Sequence, residues 1–188
     1  MNGLGLATLR LLPMGVLLMF ALAYQIFAAS LYEFREIRPD FVFLALLYLA
    51  FYLPTGRVLL FGLGAALVLD LLSIAPPGSH VLAYLPVLWL ASRVRGWFVL
   101  EIPLARACLV FPAMFAQLLL QRVFLVLSAE PGEVAPGLAF LDAGDLFFSS
   151  DVAVALYTTV LGFVVHTLLD RFRPQLVGLR GRARPGWR

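Results

Sequence analysis

The sequence contains no lysine, one cysteine and two histidines, and only 13% of its 188 residues are charged, against about 25% in an ordinary soluble domain. Cys108 has no partner for an internal disulfide, so redox chemistry does not report the compartment. His80 and His166 are far apart, and no Cys or His group has ligand spacing, so no metal is expected. There is no Ser/His/Asp arrangement with an interpretable context. The nearest thing to a phosphate loop, Gly62-Leu63-Gly64-Ala65-Ala66, is embedded in an apolar segment, where small residues serve close helix packing. No catalytic residue and no cofactor are expected.

What is present is apolar: 62% of the chain is hydrophobic, against about 45–50% in soluble domains. The remaining polar side chains are too few to coat a soluble fold. An all-α integral membrane protein is expected.

Six apolar segments separate at Pro, Gly and charge clusters: Leu11 to Leu31, Phe41 to Leu53, Val58 to Ile74, Val81 to Ala91, Ile102 to Leu127 and Val152 to Leu169. They predict a six-transmembrane-helix bundle as a single domain over residues 1–174, with a basic cytoplasmic tail over 175–188. The first segment reads as a helix and not as a removable leader, because its apolar character continues past Ala21-Leu22-Ala23. The second segment is short. A helix from Pro39 to Thr55 would reach about 25 Å, with Arg38 and Arg57 snorkelling toward opposite headgroups. The turn Pro54-Thr55-Gly56-Arg57 makes segments two and three antiparallel neighbours.

The arginines set the orientation. With six spans and a cytoplasmic N-terminus, Arg10, Arg57, Arg93, Arg95, Arg106, Arg171, Arg173, Arg180, Arg182, Arg184 and Arg188 share the cytoplasmic side. Arg35 and Arg38 fall outside, with most of the acids, and Arg122 lies within segment five. That asymmetry is the positive-inside pattern and places both termini in the cytoplasm. The arginine-rich tail suits anionic lipid headgroups, so membrane lipids are expected partners and nucleic acid is not.

Ionisable groups inside apolar segments are the functional candidates, because hydrocarbon penalises them unless they pair. They are Asp70, Arg122, His166 and Asp170, with Glu101 at a segment end. Asp170 and Arg171 fall at the cytoplasmic edge and need no special account. Asp70 and Arg122 sit at matching depth, about 9 Å below the outer edge, and are expected to form an intramembrane ion pair or to snorkel. His80 is placed in an outer loop. A second outer loop, Ser128 to Ser150, mixes acids with apolar clusters that suit the headgroup region or a protein partner, and Ser149, Ser150 or Asp151 is expected to cap the last helix.

Three features together resemble one family. Arg38-Pro39-Asp40 opens the short second helix, Leu69-Asp70-Leu71-Leu72-Ser73 ends the third, and Pro76-Pro77-Gly78-Ser79-His80 leads into Leu82-Ala83-Tyr84. Their order and spacing resemble the bacterial rod shape-determining protein MreD. The resemblance implies a non-enzymatic inner-membrane component of the cell-elongation and peptidoglycan synthesis machinery. It implies association with MreC and, through it, with RodA and its transpeptidase and with the actin-like MreB. It also implies a fold similar to the substrate-binding subunits of energy-coupling-factor transporters. Arg38, Pro39, Asp40, Asp70, Gly78, His80 and Tyr84 match the family's motifs and are expected to be architectural or partner-facing. The alternative is a vitamin-binding transporter subunit, whose pocket would have to be lined by Asp70, Arg122, Gln117, Gln121 and Tyr84.

Overall fold

The computed structural model describes residues 3–27, 39–97, 103–128 and 144–177, with side chains for 12–27, 39–97, 105–128 and 151–172. Arg38, Glu101, residues 129–143 and the tail beyond 177 lie outside the described residues.

The described residues form helices and no strand: α1 (Gly3–Phe27), α2 (Phe41–Tyr52), α3 (Thr55–Leu72), α4 (Ser79–Val94) with a following 3-10 turn (Arg95–Trp97), α5 (Pro103–Leu127) and α6 (Gly144–Val177). By length and composition three stretches can cross a membrane: Thr55–Leu72, Ala105–Leu127 and Asp151–Phe172. Two shorter apolar stretches accompany them, Leu12–Phe27 and Phe41–Tyr52.

The short helix α2 is the axis of the bundle. Every residue from Val42 to Phe51 is buried, and α1, α3, α4, α5 and α6 all pack on it. A helix that is apolar on all sides is stable only when surrounded, which its sequence PDFVFLALLYLAFYLP satisfies. Its twelve residues span about 18 Å, less than the 25 Å expected. Asp40 caps the helix from outside it and Leu53 ends it, so Pro39 precedes the cap and does not occupy the first turn. Its length is possible because neighbouring helices, not lipid, cover its flanks.

Helices α3 and α4 pack closely through small residues. A side chain at Gly62 would begin 2.7 Å from Leu88 Cδ1 and 3.5 Å from Leu85 Cδ2, so the packing role expected of this stretch is met there. Gly162 on α6 holds the corresponding place against α2, where a Cβ would lie 2.8 Å from Leu44 Cδ2 and 3.4 Å from Val110 Cγ1. The flexible end of Leu44 can yield to one methyl group, so Gly162→Ala should be mild. Gly162→Leu should cost roughly 2 kcal/mol by overpacking, read as a lower unfolding midpoint in mixed micelles. An unchanged midpoint for the leucine variant would mean that α6 does not seat here.

Further boundaries differ from the sequence reading. Helix α4 starts at Ser79, which places His80 in a helix and not in a loop. Helix α6 starts at Gly144, so residues 144–150 are helical, and Ser149, Ser150 and Asp151 are interior residues instead of caps. The same helix runs past residue 174 to Val177. Acids and serines near a segment end had suggested a helix start, but Asp151 lies within α6, where its carboxylate pairs with Arg122 of α5.

Candidate functional site: polar clusters at the two ends of the bundle

The first cluster sits where α2 and α4 begin and α3 ends. The N-terminus of α4 exposes unbonded N–H groups, and its N-cap, Gly78, has no side chain to satisfy them. Asp70 of α3 supplies the missing acceptor. Its carboxylate accepts from Gly78 N–H at 3.0 Å, Ser79 Oγ at 3.2 Å, His80 N–H at 2.9 Å and His80 Nδ1 at 2.8 Å. The negative charge also complements the positive end of the α4 dipole. Gly78 has φ of 95°, in the left-handed region that glycine adopts without strain. The motif therefore has a local physical meaning: an acid in the last turn of α3 caps α4 across a glycine turn.

Asp40 does comparable work on α2. Its Oδ1 accepts from Phe43 N–H at 2.8 Å, and its Oδ2 accepts from the Tyr84 hydroxyl. Burial pushes the Asp40 carboxyl above the usual carboxylate range, against the lowering effect of the bonds from Tyr84 and Phe43. Tyr84 packs on Phe43 with ring centroids 4.9 Å apart and meets the His80 ring edge-on at 5.9 Å. Gln25 of α1 joins the cluster by accepting from Phe41 N–H at 2.9 Å. Five of the seven expected motif residues, Asp40, Asp70, Gly78, His80 and Tyr84, thus meet in one place. Pro39 stands at its edge, and Arg38 is outside the described residues.

The expected Asp70–Arg122 pair does not form. Asp70 is committed to α4, while Arg122 of α5 donates from Nη2 to Asp151 Oδ1 of α6. Matching depth was a sound estimate, but depth does not fix which way a helix face turns. Asp151→Asn and Arg122→Gln should therefore show coupling of roughly 0.5–3 kcal/mol in a double-mutant cycle, whereas Asp70→Asn and Arg122→Gln should add within about 0.5 kcal/mol. Equal coupling in both cycles would contradict these pairings.

The second cluster lies at the other end of α2, and sequence reading passed it over. Asp170, dismissed as an edge residue, accepts from the hydroxyls of Tyr48 and Tyr52, each at 3.3 Å, and from Arg106 Nη1 at 2.5 Å. It ties α2, α5 and α6 together. His166 is 2% exposed, and its Nε2 donates to the Leu44 carbonyl at 3.1 Å. Arg95, just after α4, donates from Nη1 to Ala50 O at 2.9 Å and also to Leu53 O, satisfying carbonyls at the α2 C-terminus. The available sequence signal was the tyrosine pair at i and i+4, which puts two hydroxyls on one helix face.

Neither cluster is arranged to hold a metal. Among the described residues no three His, Cys, Asp or Glu side chains are placed so that they could hold a metal ion. The five residues proposed to line a vitamin pocket also fail to converge. Asp70 and Tyr84 belong to the first cluster, Gln117 donates to Gln121 at 3.1 Å along α5, and Arg122 turns to α6.

The family model of the rod shape-determining protein MreD matches residues 7–133, well over half of the chain. The chain belongs to the MreD family. No curated protein and no solved structure matches it. Membership implies a role in rod shape determination, and together with the three long apolar helices it makes this a helical membrane protein. The MreD match contains the whole first cluster, with Asp40, Asp70, Gly78, His80 and Tyr84. It stops before α6, so Asp151, His166 and Asp170 bind the matched helices from a segment beyond it.

Proposed function

We propose that this MreD-family protein is a non-enzymatic scaffold of the cell-elongation machinery in the bacterial inner membrane, docking MreC and through it RodA with its transpeptidase and, indirectly, MreB. The observation that carries this reading is how the buried polar groups are used. Asp40, Asp70, Arg122 and Asp170 each tie one helix to another through a side-chain hydrogen bond. A chain whose polar side chains are spent on internal ties is suited to presenting a fixed outer surface. Arg38, Pro39, Asp40, Asp70, Gly78, His80 and Tyr84 are then architectural or partner-facing positions, and Asp40, Asp70, Gly78, His80 and Tyr84 hold the ends of α2, α3 and α4 in register for a partner.

On this reading all six helices cross the bilayer with both termini cytoplasmic, as the arginine distribution supports. The bundle of residues 1–174 shares the fold of energy-coupling-factor substrate-binding subunits without their ligand, and the tail over 175–188 lies on anionic headgroups.

Tagged protein purified from native membranes should bring down MreC and RodA. Recovery of a transporter ATPase module in their absence would overturn the scaffold. A cytoplasm-active reporter fused to the C-terminus should be active. Silence there, with an active periplasmic reporter, would overturn the six-span arrangement.

A further inference from the structure

Among the described residues, four buried side-chain atoms lack a hydrogen-bond partner: Arg106 Nε, Gln117 Oε1, Asp151 Oδ2 and Thr158 Oγ1. All four lie on α5 and α6. Beside one of them, Arg106 Nε, the α5–α6 seam contains a void of about 10 Å³ lined by Arg106, Ala107, Val110, Phe163, His166 and Thr167. We propose that this void is a binding site for a single structural water, which accepts from Arg106 Nε–H and donates to His166 Nδ1.

The chemistry of the lining selects water. A carbonyl can only accept, so the bond from His166 to the Leu44 carbonyl places the ring proton on Nε2 and leaves Nδ1 as the acceptor of the neutral imidazole. Arg106 has spent Nη1 on Asp170, and its Nε–H is a buried donor without a partner. Arg106, which has an unpartnered buried donor, and His166, which has a free acceptor nitrogen, both line this one space. That space is about the size of one water probe, near the lower limit of roughly 10–15 Å³ for holding a water. It is too small for an ion with a hydration shell or for any metabolite. Thr167 borders the void, and its hydroxyl already donates to Phe163 O at 2.7 Å, so its oxygen is left to accept a second bond from the water. Val110 and Phe163 supply the apolar remainder.

The water completes a chain: Asp170, Arg106, water, His166 and the Leu44 carbonyl. This chain runs from Asp170 of α6 through α5 and back to the N-terminal part of α2. The water thereby fixes the His166 tautomer and satisfies a guanidinium that would otherwise be stranded in an apolar interior.

The full chain in lipid nanodiscs, bound to whatever native partners copurify, tests this at a resolution that shows ordered water. A density peak within hydrogen-bond reach of both Arg106 Nε and His166 Nδ1 is expected. An empty void, or Arg106 Nε bonded directly to protein, overturns the proposal. Ala107→Val, which crowds the void from its wall, gives an opposite sign for the two cases. Displacing a bound water strands Arg106 Nε and should lower Tm by about 2–4 °C, whereas filling a dry void should leave Tm unchanged or raise it. If that variant does not fold, 15N spectra of histidine in the unaltered protein decide. Nδ1 of His166 should appear unprotonated, with magnetisation exchange to water, and a protonated Nδ1 or no water contact overturns the site.

Discussion

Asp70→Ala is expected to destabilise the bundle by about 4 kcal/mol, because it strands several buried donors at once. The backbone N–H groups of Gly78 and His80 and the Ser79 hydroxyl all lose their acceptor, and Ser79 is fully buried. Asp70→Asn should lose only about half as much, since an amide oxygen still accepts and the amide nitrogen does not. Denaturation in mixed micelles reads both values. In cells carrying only the Asp70→Ala form, rods should become round, as the family role implies. An Asp70→Ala protein that unfolds at the midpoint of the unaltered chain would mean that α4 is capped by something else.

Arg106→Met is the second large effect, at roughly 2–3 kcal/mol. Removing one partner of a buried ion pair costs about 3–5 kcal/mol, and here the Asp170 side chain is 28% exposed, so solvent screens part of the loss. Tyr48 and Tyr52 continue to donate to Asp170, which softens it further. The double variant Arg106→Met with Asp170→Leu should recover part of the stability, since an apolar pair has no charge to desolvate. If the double variant is as unstable as the sum of the single ones, the two side chains do not interact. The loss should appear first as detachment of α6, whose attachment depends on this contact, on the Arg122–Asp151 pair and on Gly162 packing.

The two effects differ in how visible they were beforehand. The Asp70 cap joins residues eight to ten positions apart, within a single turn between neighbouring helices, so a motif could be read from spacing alone. The Asp170 cluster joins residues 64 to 122 positions apart. No local pattern marks such a contact. An acid beside an arginine at a segment end looks the same whether it meets solvent or two tyrosines from another helix. The Asp70–Arg122 expectation failed for the same reason: rise per residue gives depth, but the rotation of each helix about its axis is set by packing.

The short second segment illustrates the division. Its terminal prolines were legible, because chain breaks are determined within a few residues. Its place at the centre of the bundle was not legible, and that place is what makes twelve residues sufficient.

By itself the sequence determined that the chain is a helical membrane protein, where most of its helices fall, and that the spacing of its motifs resembles the MreD family. Each of these follows from composition, from breaks in apolar runs and from contacts across one turn. Only the tertiary structure decided which helix is innermost, that Asp70 caps α4 instead of pairing with Arg122, and that Asp170 holds the last helix in place. Those outcomes depend on which helix faces meet, and a helix pattern read one segment at a time contains no information about the rotation of its neighbours.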